Sequence, residues 1–178
     1  MRHYSLFIAA TCLLVSLTSC EKKDYSSFPP SFEGFKFSRD DQPINKTDIY
    51  AGDRITVTAA QMKKGQLINA TTYNWEVIIP VEQADGSWKN DTIKSGAIHK
   101  VYDMENEDPS FTFNINSKAA GTSIVKFNAT YSFSGNGIQV DDGSNYGSSG
   151  TASGSIVSSS SAMYGKANGS VRFTVKEK

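Results

Sequence analysis

Cysteine is almost missing from this 178-residue chain: Cys12 and Cys20 are its only two, both within the first twenty positions. Histidine is equally scarce, with His3 and His99 alone. So few thiol and imidazole groups exclude a His-rich zinc site, a Cys–His dyad and a HExxH motif. Neither sign of charge is in surplus, since 18 Lys+Arg face 18 Asp+Glu. That balance excludes nucleic acid as a partner, because a phosphate backbone demands a cationic surface. The 14 glycines and five prolines follow no triplet period and no heptad run occurs, so neither collagen nor a coiled coil is encoded.

Hydrophobic runs are short as well. Leu6 to Leu17 is uncharged and mostly apolar over twelve residues. As a helix it reaches about 18 Å, against a hydrocarbon core of about 30 Å. Behind Met1 and Arg2 it reads as the apolar part of a secretory leader and not as a membrane span. The run ends Leu17-Thr18-Ser19-Cys20, which resembles the bacterial lipobox. The resemblance implies cleavage before Cys20, a diacylglycerol on its sulfur and, often, a further acyl chain on its amine. Several chains attach durably where a single one is marginal. On this reading residues 1–19 are a lipoprotein signal peptide and the mature chain has neither free thiol nor disulfide. Losing Arg2 takes the basic count from 18 to 17 against 18 acidic residues.

Residues 20–31 then read as lipidated anchor and linker, with Pro29-Pro30 favouring extended chain. The cluster Glu21-Lys22-Lys23-Asp24 is similar to the export signal of Bacteroidetes lipoproteins, which implies the outer face of the outer membrane. The same residues also suit a solvated linker on the periplasmic face.

From residue 32 onward apolar residues fall on alternate positions, the period of strands. Phe35 and Phe37 share a face in a first strand. Ile55, Val57 and Ala59 follow the turn Tyr50-Ala51-Gly52-Asp53. Tyr73, Trp75, Val77 and Ile79 come next, and Pro80 marks an edge or a bend. Asp85-Gly86 predicts a two-residue hairpin turn returning along Ser87 to Ile93. Further strands carry Phe111, Phe113 and Ile115, then Val125, Phe127, Ala129, Tyr131 and Phe133, and last Val171, Phe173 and Val175. About seven strands, each apolar on one face only, predict an all-β antiparallel sandwich over residues 32–178.

One segment breaks the pattern. Residues 135–170 hold eight glycines and ten serines, half of the 36. So little apolar surface predicts a long mobile loop before the last strand. Ile138 with Val140, and Ile156-Val157, leave open a hairpin that extends the sheet. Removing residues 136–168 is expected to leave the sandwich folded.

Ala51-Gly52-Asp53-Arg54-Ile55-Thr56-Val57-Thr58-Ala59 followed by Tyr73-Asn74-Trp75-Glu76-Val77 resembles the second and third strands of an immunoglobulin-like, PKD-like domain. Gly121 with its strand, and Val171 to Val175, are similar to the family's closing strands. The match departs at Glu76-Val77-Ile78-Ile79, where the signature continues with an aspartate and a Gly-Asp-Gly turn, and at the Gly/Ser insertion. The resemblance implies an immunoglobulin-like sandwich with a binding or spacing role and carries over no catalytic residue.

Candidate sites are few. Trp88, beside the Asp85-Gly86 turn, either packs on the neighbouring sheet or lies exposed, where a flat indole stacks on a sugar ring. Asp141 and Asp142 with Asn145 offer clustered oxygens of the kind calcium takes, as does the loop of Asp103, Glu105, Glu107 and Asp108; neither has EF-hand spacing. Asp91-Thr92-Ile93 resembles the short O-glycosylation motif of Bacteroidetes, which implies Thr92 as the acceptor. His99 has no GxSxG partner, and nothing in the sequence calls for a cofactor. The expected protein is therefore a non-enzymatic, lipid-anchored envelope component on the outer membrane. It would contact a glycan or a partner protein as an accessory to nutrient uptake or adhesion. The alternative is a structural component of an outer-membrane complex with no ligand of its own. A hydrolase is the third reading, and the poverty in His and Cys counts against it.

Overall fold

Alternation of apolar and polar residues produces strands and, among the described residues, no helix. The computed structural model describes residues 27–101, 107–133, 141–142, 154–160 and 164–178. In chain order the strands are β1 Ser31–Arg39, β2 Gln42–Ile44, β3 Ile49–Tyr50, β4 Arg54–Lys63, β5 Ile68–Glu82 and β6 Trp88–Val101. They continue with β7 Ser110–Asn114, β8 Gly121–Phe133, β9 Asp141–Asp142, β10 Ser155–Ser160 and β11 Tyr164–Lys176.

Two sheets face each other. One has the order β2-β1-β4-β7; the other runs β6-β5-β8-β11-β10-β9, with β3 added in parallel to β11. Every other pairing is antiparallel. The seven strands that the sequence predicts divide as β1, β4, β7 against β6, β5, β8, β11. Three strands thus face four in a two-sheet antiparallel sandwich.

The inward faces are those the alternation marks. Phe35, Phe37, Ile55, Val57, Ala59 and Phe113 are buried on one sheet. Trp75, Val77, Ile79, Val125, Phe127, Val171 and Phe173 are buried on the other. Aromatic rings join the layers: Phe35 meets Trp75 edge-on at 6.3 Å, Phe32 meets Phe127 at 5.8 Å and Phe37 lies 5.6 Å from Phe173, while Trp75 and Phe127, 4.5 Å apart, pack side by side within one sheet. Each such side chain contributes about 1.5–3 kcal/mol on full burial. Burial of this kind is how a two-sheet β domain is held together.

Four further strands, β2, β3, β9 and β10, stand beyond the seven expected. β2 follows a two-residue turn in which Asp40 and Asp41 both take positive φ, 49° and 61°, as a type I′ turn requires. The Asp85-Gly86 turn differs from expectation. Gly86 N–H donates to the Gln83 carbonyl at 3.0 Å and Gln83 N–H to the Ser87 carbonyl at 2.7 Å. Only Gly86 is left-handed, at φ 78°. This is a three-residue loop, because a two-residue type I′ turn would need a second positive φ. The return strand runs to Val101, well past Ile93. Pro80 sits within β5 just past Ile78, the last β5 residue paired with β8, so its missing N–H leaves no ladder position empty.

The mobile-loop expectation for residues 135–170 is corrected in part. β10 pairs along its whole length with the first half of β11, Ser155 with Ser170 through Ser160 with Gly165. Ile156 is buried, as the hairpin alternative requires; Ile138 and Val140 lie outside the described residues. Inward positions of β11 here are Gly165, Ala167 and Gly169. A Cβ on Gly165 would stand 2.9 Å from both Phe133 and Pro29, and one on Gly169 2.5 Å from the Ser155 carbonyl oxygen. Small residues bring β10 and residues 29–30 onto this face. Residues 27–30 of the expected linker are thereby held on the domain: Phe28 exchanges backbone hydrogen bonds with Gln66, and Ser27 and both prolines are buried.

Candidate functional site

Three separate pieces of chain meet around Trp88. The β5–β6 hairpin supplies Glu82 and Trp88, whose positions pair directly. The β7–β8 loop supplies Ser117, Lys118 and Ala119, tied to β5 by Glu82 N–H donating to the Lys118 carbonyl at 3.1 Å and by the Val81–Ala119 bridge. Glu177 and Lys178 follow β11. Together they line a cleft of about 280 Å³. Trp88 is 52% exposed, so the indole does not pack on the neighbouring sheet.

Lys178 is fixed from below. Its Nζ lies 3.4 Å from Asp53 Oδ1, while Asp53 Oδ2 accepts the Tyr50 N–H at 2.9 Å and faces Arg39 Nη1 at 3.4 Å. Asp53 is buried, and Gly52 at φ 82° makes the turn that brings it there. The hairpin tip is braced too. Asp85 Oδ1 accepts the Ser87 hydroxyl at 2.6 Å and the Ser87 N–H at 3.0 Å, which hold its carboxyl below the usual range. Two acids, Glu82 and Glu177, and two cations, Lys118 and Lys178, line the cleft with one flat indole. Balanced donors and acceptors with an aromatic platform match a neutral, hydroxyl-rich ring better than an ion.

A second surface is the outer face of the seven-stranded sheet. Asn74, Asn128 and Asn168 stand in register on three adjacent strands. Lys126, Asn128, Asn168, Ser170 and Arg172 line a shallow hollow of about 490 Å³ there. Beside it Glu76 receives Lys126 Nζ at 2.9 Å and Lys94 Nζ at 3.6 Å. The Lys126 hydrogen bond and the two positive charges draw the Glu76 carboxyl below its ordinary value. Among the described residues no aromatic ring lines this hollow.

The remaining sequence candidates are scattered. Thr92 is exposed on β6, opposite Ile78. His99 is exposed, its Nδ1 2.9 Å from Thr72 Oγ1 across the strand pair. Glu107 Oε2 pairs with Lys100 Nζ at 2.9 Å, and Asp108 Oδ1 accepts the Gln61 N–H at 3.0 Å, so both acids pin the approach to β7. Asp141 and Asp142 form β9, paired with Ser159 and Ser158. Cys20, Asp103, Glu105 and Asn145 lie outside the described residues. Among the described residues no three His, Cys, Asp or Glu side chains gather as metal ligands do.

Glu82, Ser117, Lys118, Glu177 and Lys178 were invisible as a group in the sequence. They span nearly a hundred positions, and the Glu82–Lys118 backbone bond, the Val81–Ala119 bridge and the end of β11 bring them together. Compared with known protein families, curated proteins and solved structures, the chain matches none.

Proposed function

We propose that this chain is a lipid-anchored envelope protein, acylated at Cys20, whose PKD-like sandwich binds a neutral glycan in the Trp88 cleft without catalysing a reaction. One observation carries the reading: a 52% exposed indole beside a cleft with two acids and two cations, built from three separate segments of chain. Exposed tryptophans on soluble domains cost solubility, and an aromatic platform edged by hydrogen-bonding groups is what sugar rings require. Supporting the anchor are the leader and Leu17-Thr18-Ser19-Cys20. Supporting the PKD-like assignment are the Gly52-Asp53 turn, the buried Trp75 and the division of strands between the sheets. Screening the purified lipoprotein on a glycan array, with calorimetry on each hit, tests it. Binding lost in Trp88→Ala is the expected result; no binding to any glycan, or binding untouched by Trp88→Ala, would overturn the cleft.

A second reading, an assembly component on the outer face of an outer-membrane complex, has its own observation. Among the described residues β6 pairs on one side only, with β5. A long open edge is a template for strand addition. Here Lys89, Lys94 and a bulge at Ser95-Gly96 interrupt it. Ser95 Oγ takes the Trp75 N–H that the bulged backbone leaves, at 3.0 Å. Co-purification of a membrane complex without glycan binding would favour this reading.

A further inference from the structure

The two ends of the sandwich differ. Along β5, Ala70 pairs with Val101 at one end and Glu82 with Trp88 at the other, about 40 Å away at strand spacing. The first described residues belong to the Ala70 end. Phe28 is bonded to Gln66 in the β4–β5 loop, and Pro29 packs against Gly165 near the start of β11. Ser27 is fully buried there, so the chain leaves the domain at a fixed point. Ser27 stands seven positions after Cys20, at most about 25 Å of chain.

Among the described residues that same end carries most of the exposed large apolar side chains. Met62 is 54% exposed, Leu67 40%, Val101 66% and Tyr164 53%. Val101 and Tyr164 lie on one row across four strands, Val101–Ala70–Ser132–Tyr164. Leu67 holds φ 53°, a conformation that bulky L-residues avoid, and still presents its side chain to solvent. Lys63, its Nζ 4.5 Å over the Phe28 ring, stands beside them.

We propose that this end of the sandwich rests on the lipid surface, with Met62, Leu67, Val101 and Tyr164 dipping among the headgroups and Trp88 held away from it. The inference rests on the acylation of Cys20 proposed above. Chain length argues for lipid as the occupant: a tether this short keeps the end at an effective concentration on the order of millimolar over the bilayer, so weak apolar contacts suffice. Lysines beside apolar side chains are the usual interfacial pairing, with the ammonium reaching phosphate. The glycan cleft then points outward.

The test uses the full-length lipoprotein in phosphatidylethanolamine–phosphatidylglycerol vesicles doped with an acyl-chain nitroxide lipid. Cys12 leaves with the leader and lipid occupies the Cys20 sulfur, so a single introduced cysteine takes an NBD label. Labels on M62C and V101C are expected to lose fluorescence to the nitroxide, and a label on W88C to keep it. Equal, unquenched emission at all three positions in vesicles holding acylated protein would overturn the orientation while leaving the anchor standing. Labels at 62 and 101 shielded from aqueous iodide yet unquenched by lipid would mean that protein covers this end, and would also overturn it. Failure of Cys20 to take a fatty-acid probe would remove the anchor itself.

Discussion

Ser158 donates its hydroxyl to the carbonyl oxygen of Pro30 at 2.6 Å, in a buried setting that joins β10 to the segment entering β1. The bond spans 128 positions and ties the supposed linker to the supposed loop. Ser158→Ala leaves the Pro30 carbonyl buried without this donor, a loss of about 1–3 kcal/mol. Urea unfolding measures it. A midpoint equal to the parent's would show that the bond contributes nothing.

Trimming residues 136–168 is now expected to destroy cooperative melting, against the expectation from composition. The cut removes all of β10 and the Tyr164–Asn168 stretch of β11, taking the buried Ile156 and Ala167 out of the core. Calorimetry of the trimmed protein decides the matter; a sharp transition near the parent's would restore the loop reading.

Gly169 tests the same region with one atom. An added Cβ would stand 2.5 Å from the Ser155 carbonyl oxygen and 2.6 Å from Ile156 Cγ1, and the carbonyl belongs to backbone that cannot step aside. Gly169→Ala should cost about 1–3 kcal/mol by overpacking. Exposed Ser170→Ala, one residue on, should be neutral within about 0.5 kcal/mol. Equal melting of the two variants would show that β10 yields freely.

These positions explain what the sequence hid. Strands β4, β5 and β8 were legible because their inward residues are large: Ile55 and Val57, Tyr73 and Trp75, Val125 and Phe127. In β11 the inward Gly165, Ala167 and Gly169 carry the same alternation with almost no side chain. Hydropathy therefore records only a Gly/Ser tract, although closeness of approach is the reason for the glycines. Asp40-Asp41 hid β2 likewise, by taking left-handed turn positions without a glycine. At the cleft Trp88 was legible from its hairpin. Lys118 and Glu177 were not, since sheet pairing and not sequence proximity delivers them.

Glu76 gives a pH-dependent test. Its hydrogen bond from Lys126, helped by the charges of Lys126 and Lys94, holds its pKa below the ordinary 4.5. A lowered folded-state pKa contributes stability that is fully present above 4.5 and lost as pH falls through the lowered value. Carboxyl NMR titration should place the Glu76 midpoint under 4.5 in the parent and nearer 4.5 in Lys126→Met. High salt should move it the same way, because the pair is exposed and screened. An unchanged midpoint in Lys126→Met would show that the lysine is not the cause.

The chain's two tryptophans should behave as opposites. Trp75 is buried between the sheets, 4.5 Å from Phe127 and 6.3 Å from Phe35, so Trp75→Ala opens a cavity that the layers cannot collapse into. The expected loss is about 3–5 kcal/mol. Trp88 opens β6 just after a three-residue hairpin loop held by Gly86 and Asp85, and its side chain is exposed, so removing the indole disturbs no core contact. Trp88→Ala should change stability by no more than about 0.5 kcal/mol. Fluorescence separates the pair without unfolding: in Trp75→Phe the remaining indole should emit red-shifted and be quenched by iodide, and in Trp88→Phe it should emit blue-shifted and resist quenching. Equal quenching in the two variants would mean that the Trp88 indole is covered in solution, and the cleft would then lose its platform.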